Sequence, residues 1–155
     1  MRPSRASGEG EFIMEQIMIH CRKVFPGHVA GTALVSNQAI STWGSLNEKK
    51  GVVTARGHVL FGKSLKDMIL VFPYGKGSSG WGRNFQNLGY YKSAPKAMLI
   101  GQVDSRTALG AVSAQVPSVT DFDIDPLTII EDGDWVDVNA DCGIVTVTKK
   151  NSSER

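Results

Sequence analysis

The sequence predicts a mixed α/β domain, sheet-dominated, with two or three helices against one face of the sheet. Three observations predict it. The 17 glycines and 6 prolines cut the chain into short segments. Between the cuts lie apolar, β-rich runs. Only two stretches carry helix signals. With 155 residues the chain fits one domain, large enough to bury a core without staples. Its 41% hydrophobic and 21% charged residues exclude a mostly disordered chain.

Taken in order, the expected strands lie at 17–25, 31–35, 66–72, 96–100 and 135–147. The densest apolar run, Met68-Ile69-Leu70-Val71-Phe72, is far shorter than the roughly 20 residues a membrane helix needs. No membrane association is expected. In the last run, Trp135, Val136 and Val138 precede Asp141-Cys142-Gly143, and Ile144, Val145 and Val147 follow. That is a hairpin around a tight turn, with Cys142 a small buried residue in it. Helices are expected at 84–91, after the small residues Gly77-Ser78-Ser79-Gly80, and at 107–114. No fixed-period repeat and no regular βαβ alternation is evident. Residues 1–11 and 149–155 read as mobile ends, leaving 12–148 as the domain. The first ten residues lack the apolar region of a secretory leader.

The net charge of +2 hides an asymmetry. Residues 1–106 carry 14 Lys/Arg against 6 Asp/Glu, whereas 107–148 hold 8 acids and no Lys or Arg. The basic residues stand singly among glycines and apolar residues, without the stripe or stacking aromatics of a nucleic-acid surface, so no nucleic-acid partner is expected. Cys21 and Cys142 form no CxxC motif and fit a reducing cytoplasm. The chain alone offers no set of soft metal ligands. Asp121, Asp123 and Asp125 alternate, but the sixth and twelfth positions of a calcium loop starting at Asp121 hold Pro126 and Asp132. A solvated acidic edge or a partner-facing surface is the expectation there.

The stretch richest in chemistry runs from Pro73 to Arg83. Glycines let a backbone turn tightly against a ligand, and serine hydroxyls with free N–H groups at a helix start attract anions. Lys76 and Arg83 add positive charge. The segment is no GxxxxGK[ST] phosphate loop, and Gly77-Ser78-Ser79-Gly80 is one residue short of a GxSxG elbow. Gly75, Gly77 and Gly80 fit the letters G-x-G-x-x-G without its βαβ setting. A plain Gly/Ser turn explains the same letters. A second cluster joins Ile40-Ser41-Thr42-Trp43-Gly44-Ser45 to Arg56-Gly57-His58-Val59-Leu60-Phe61-Gly62. His58 there reads as semi-buried and structural before catalytic, and Trp43 as a core or interface anchor.

At these residues the chain resembles the small, swivel-domain subunit of the aconitase X family. The similarity runs in order through Phe25-Pro26-Gly27, Gly31-Thr32-Ala33-Leu34-Val35 and Ile40-Ser41-Thr42-Trp43-Gly44. It continues through Gly51-Val52-Val53, the segment from Gly57 to Leu65, Gly75-Lys76-Gly77-Ser78-Ser79 and Ala94-Pro95-Lys96-Ala97. Leu109-Gly110-Ala111-Val112 and Gly133-Asp134-Trp135-Val136 close it, covering about residues 17–148. The resemblance implies a swivelling β/β/α domain, as in the small domain of the aconitase superfamily. It implies a hydro-lyase that removes water from a small hydroxy acid; family activities include dehydration of cis-3-hydroxy-L-proline and of mevalonate 5-phosphate. The chain would act only with a larger subunit carrying an iron or iron–sulfur centre, and would itself bind no cofactor. Carried over residue by residue, Ser78 would be the base, with Gly77, Ser79, Arg83, His58 and Ser41 as substrate contacts. Trp81 would set a large ring beside that base. The alternative is a non-catalytic module on the same fold that binds an anion or a partner.

Overall fold

The computed structural model describes residues 15–150. In chain order the strands are β1 (Gln16–His20), β2 (Arg22–Phe25), β3 (His28–Val35), β4 (Leu46–Asn47), β5 (Val52–Val53) and β6 (Ile69–Tyr74). Helix α1 (Trp81–Tyr90) leads to β7 (Ala97–Gln102), and α2 (Ser105–Ala114) leads to β8 (Ser118–Thr120). A 3-10 turn (Pro126–Thr128) precedes β9 (Trp135–Asn139) and β10 (Ile144–Thr148).

Eight strands follow the order β1-β10-β9-β3-β6-β7-β8-β2, and β4 pairs β5 in a separate hairpin. The long β3 belongs to two layers. Its first half pairs antiparallel with β9, and its second half runs parallel to β6. β1 and β2 lie at opposite margins of this order with only Cys21 between them, so one stretch of chain closes the sheet on itself. The expected run 17–25 is therefore two strands bent at Cys21, whose N–H donates to Gly143 O at 2.9 Å.

Alternation along β6 and β7 explains why both read as continuous apolar runs. Leu70, Phe72, Met98 and Ile100 face Trp81, Phe85, Leu88 and Ala111 beneath the helices. Ile69, Val71, Ala97 and Leu99 face Val136, Val138, Val145 and Val147 of the second sheet layer. The result is three layers, β/β/α, with a core in each gap. Gly110 lets α2 approach α1, since a Cβ there would lie 3.1 Å from Trp81 Cε3 and 3.3 Å from Phe85 Cγ.

Several expectations are corrected. A βαβαβ alternation is present, because β6, β7 and β8 are parallel neighbours joined through α1 and α2. It was hidden because β8 is only Ser118-Val119-Thr120, too short and too polar to read as a strand. Cys142 lies in the expected hairpin turn but is exposed. The three aspartates are exposed, as expected; they sit in the loop after β8, and each has a local task. Asp121 pairs with Arg22 at 2.6 Å, Asp123 accepts from the His20 N–H at 2.9 Å, and Asp125 caps the 3-10 turn through Leu127 N–H.

Residues 1–11 and 151–155, both expected to be mobile, lie outside the described residues. Lys149 and Lys150, assigned to the same tail, are anchored. Lys149 is buried, with Nζ 2.5 Å from Asp134 Oδ2 and 3.3 Å from Glu131 Oε1. Asp134 also accepts from the Glu131 and Lys150 amides. Burial alone would raise its pKa, but these bonds and the Lys149 charge outweigh that and hold it below the usual carboxylate range. Among the described residues no helix is long and apolar enough to cross a membrane.

Candidate active site

The serine loop leaves the end of β6 and enters α1. That strand–loop–helix setting is the one the G-x-G-x-x-G letters lacked at the level of sequence. Its backbone is pinned at successive residues. Gly75 forms a parallel bridge with Ile40, and a Cβ on it would lie 2.6 Å from Thr107 Cγ2 and 2.8 Å from Trp81 Cζ2. Only a residue without a side chain fits that gap. The Lys76 N–H donates to Ile40 O at 2.9 Å, while Lys76 O accepts from Trp81 Nε1 at 3.2 Å. Gly77 turns with φ +91°, in the left-handed region that glycine favours, and its carbonyl accepts from Arg106 Nη1 at 2.9 Å.

Arg106 is itself fixed from α2. Its Nε and Nη2 donate to Asp104 Oδ2 at 2.9 and 2.7 Å. Asp104 is the N-cap of α2 in a reciprocal capping box with Thr107. Burial raises the Asp104 pKa, but the Thr107 amide and Arg106 outweigh it and hold the carboxyl below its usual range. Asp104 therefore stays ionised and keeps the arginine aimed at the loop.

Held this way, Ser78 and Ser79 are exposed. Ser78 Oγ accepts from the Gly80 N–H at 3.2 Å, which favours negative charge on that oxygen. Gly80 is the N-cap of α1 and offers no side-chain cap. The large ring of Trp81 lies beneath the loop rather than in the open. The helix begins at Trp81 rather than at 84, and the indole is fully buried, stacked on Phe72 at 6.0 Å and on Phe85 at 5.1 Å. It anchors the loop from within the core.

The structure brings Ser41 to the same place: its Oγ lies 2.8 Å from where a Cβ on Gly77 would be. Ser41, His58 and Lys76 line one cavity of about 590 Å³. His58 holds its wall. Leu60 N–H donates to Nδ1 at 3.0 Å, so the ring proton sits on Nε2 and is donated to Ala39 O at 3.0 Å. Arg83 is not brought to this cavity. It is exposed on α1 and lines a separate cleft with Gln86, Leu109 and Ser113. A second clamp joins the 42–48 segment to α1. Thr42 Oγ1 donates to Asn84 Oδ1 at 2.8 Å, and Glu48 accepts from Asn84 and Asn87 at 2.6 and 3.0 Å. This clamp leaves Trp43 69% exposed, near Gly80, so it is no core residue.

Arg106, Asn84 and Glu48 were not singled out by sequence reasoning. Asp104-Ser105-Arg106-Thr107 signals a helix start, but nothing in those letters ties it to Gly77. Among the described residues, no group of three or more His, Cys, Asp or Glu stands where it could hold a metal ion.

The β/β/α layering and the strand–loop–helix setting of the serine loop agree with the swivel domain that the resemblance implies. A family model for the aconitase X swivel domain matches residues 18–147. The small subunit of phosphomevalonate dehydratase from Methanococcoides burtonii is 37% identical over 132 residues, which cover 85% of this chain and 96% of that one. Its counterpart from Thermococcus sibiricus is 37% identical over 126 residues, covering 81% and 95%. The crystal structure of Thermococcus kodakaraensis aconitase X in its holo-form superposes with TM-score 0.81 at 31% identity, over 86% of this chain and 99% of that one. The chain belongs to the aconitase X family, as its swivel domain.

Proposed function

We propose that this chain is the small subunit of an aconitase X-type dehydratase that removes water from a small hydroxy acid, with Ser78 as the base. The relatives named as phosphomevalonate dehydratase small subunits make phosphomevalonate the first substrate to test. One observation carries the reading: the Ser78 loop is fixed through Gly75, Lys76 and Gly77, yet its hydroxyls are exposed beside a cavity. A plain turn has no use for such rigidity; a base needs it to meet a C–H bond in one orientation.

The chemistry follows from what Ser78 has around it. As an alkoxide, its Oγ takes the proton from the carbon next to the one bearing the hydroxyl. The C–H electron pair forms the double bond, and the hydroxyl departs and is protonated to water. The proton held by Ser78 is then released, so one water is lost overall. A serine alkoxide is poorly formed in water and needs donors, a cation and solvent exclusion. The Gly80 N–H is a donor, and the Arg106 guanidinium on Gly77 O brings positive charge to the loop. Exclusion of water falls to a large subunit closing over the exposed Trp43, Val59, Phe61 and Tyr74. The family resemblance puts the iron or iron–sulfur centre on that partner. Its two free cysteines fit a reducing cytoplasm.

The second reading is a non-catalytic anion- or partner-binding module. The Ser78–Gly80 bond favours it, because Gly/Ser turns form such bonds without catalysis. Ser78→Ala in the complex with the large subunit decides between them. The base reading expects kcat to fall by about 10²–10⁴-fold with the complex intact; unchanged turnover would leave the module.

A further inference from the structure

The cavity beside the serine loop has a charge pattern that the base reading does not use. Of the residues lining its roughly 590 Å³, two are cations, Arg56 and Lys76, and none is Asp or Glu. Neither cation has a side-chain hydrogen bond or ion pair among the described residues. Elsewhere in the molecule carboxylates are engaged by nearby cations, as Arg22, Arg106 and Lys149 show. Two unpartnered cations on one concave, acid-free surface attract an anion.

We propose that this cavity seats the phosphate of a phosphorylated substrate, with Arg56 and Lys76 as its countercharge and the Ser41 hydroxyl as a further donor. The inference rests on the dehydratase reading for its substrate and adds the place where the phosphate binds. Three features support it. Lys76 is rigid at its base, since its N–H and its carbonyl are both bonded to fixed groups. Ser41 lines the cavity and also lies against Gly77, so a ligand seated there reaches toward the residue before Ser78. The His58 ring has both nitrogens bonded to backbone and shapes the wall without competing for the anion. An arginine fork and a lysine point charge together suit a phosphate dianion better than a single carboxylate.

The test uses the complex of this chain with its large subunit. Arg56→Ala and Lys76→Ala are each expected to raise KM for phosphomevalonate by about 10-fold or more, with kcat changed much less. Inhibition by inorganic phosphate should weaken in parallel. The unphosphorylated hydroxy acid, mevalonate, separates the two anionic ends of the substrate. If its KM rises as much as that of phosphomevalonate, the cavity holds the carboxylate and the proposal is overturned. Calorimetric titration of the complex with inorganic phosphate reads the site without turnover. Loss of that binding in both variants supports the seat even where Ser78→Ala refutes the base. Wild-type phosphate binding and KM in both variants overturn the seat, even where Ser78→Ala abolishes turnover and upholds the base. Because both side chains are at an open surface, thermal melts of the variants should match the parent.

Discussion

Gly75→Ala separates the structural account of the serine loop from the letters that first drew attention to it. The φ of Gly75 is not positive, so the substitution carries no backbone strain, and the effect comes from space alone. The new methyl carbon would lie 2.6 Å from Thr107 Cγ2 and 2.8 Å from Trp81 Cζ2. Ordinary carbon contacts are about 3.5–4.0 Å, so close to 1 Å of relief is required. Neither neighbour gives easily. Trp81 and Thr107 are both fully buried; the first is stacked between two phenylalanines and bonded to Lys76 O, the second is locked in the capping box. Overpacking of this kind costs about 1–3 kcal/mol. For a domain of this size that lowers Tm by about 2–12 °C. If the loop moves instead, Ser78 moves with it, and a displacement near 1 Å costs about 100-fold in kcat. Melting is followed by circular dichroism, and turnover is measured in the complex well below both melting points. Full turnover together with an unchanged Tm would refute the packing argument; a lowered Tm with full turnover would refute the link between Gly75 and Ser78.

Two further outcomes are expected. Asp134→Asn removes the buried partner of Lys149 and should cost about 3 kcal/mol at pH 7, the low end for a broken buried pair because Glu131 and Ile129 O still hold the ammonium. Because the Asp134 pKa is lowered on folding, its stabilisation is present above the unfolded value near 4 and is lost as pH falls through the folded value. Urea melts of parent and variant should therefore converge in acid, and a gap unchanged at low pH would count against the ion pair. For the thiols, burial first and Asp123 second push Cys21 up to about 11, whereas Cys142 is exposed. At pH 8 only roughly one Cys21 in a thousand is thiolate, so iodoacetamide should label Cys142 first, as peptide mass mapping would show.

How far the sequence could be read differs from element to element, for physical reasons. β6, β7, β9 and β10 were legible because burial writes itself as apolar runs or alternation. α1 was placed three residues late, since Trp81 and Gly82 look like loop residues until the core that receives the indole is known. β8 was missed altogether, and with it the parallel crossover. The serine loop and Ser41 were legible as a cluster of small residues and through family resemblance. Arg106, Asn84 and Glu48 were not, because their roles come from contacts 29 to 42 residues away in the chain. Arg83 stands beside the loop in sequence and apart from its cavity in space, because the helix turns its side chain toward α2 and the second cleft.

The same contacts hold the loop beneath Ser78 and leave enclosure of the proposed base to a partner. Everything that fixes the loop comes from beneath or beside it: the indole through Lys76 O, the guanidinium through Gly77 O, and the Ile40 segment through the Lys76 amide. Above Ser78 the site is open, so water can solvate its hydroxyl and any anion in the cavity. Rigidity and enclosure are different requirements of base catalysis, the first lowering the entropy of approach and the second strengthening each local charge. The described residues of this chain meet the first. The exposed Trp43, Val59, Phe61 and Tyr74 offer an apolar surface on which a partner can supply the second without an added charge to compete with Arg56 and Lys76.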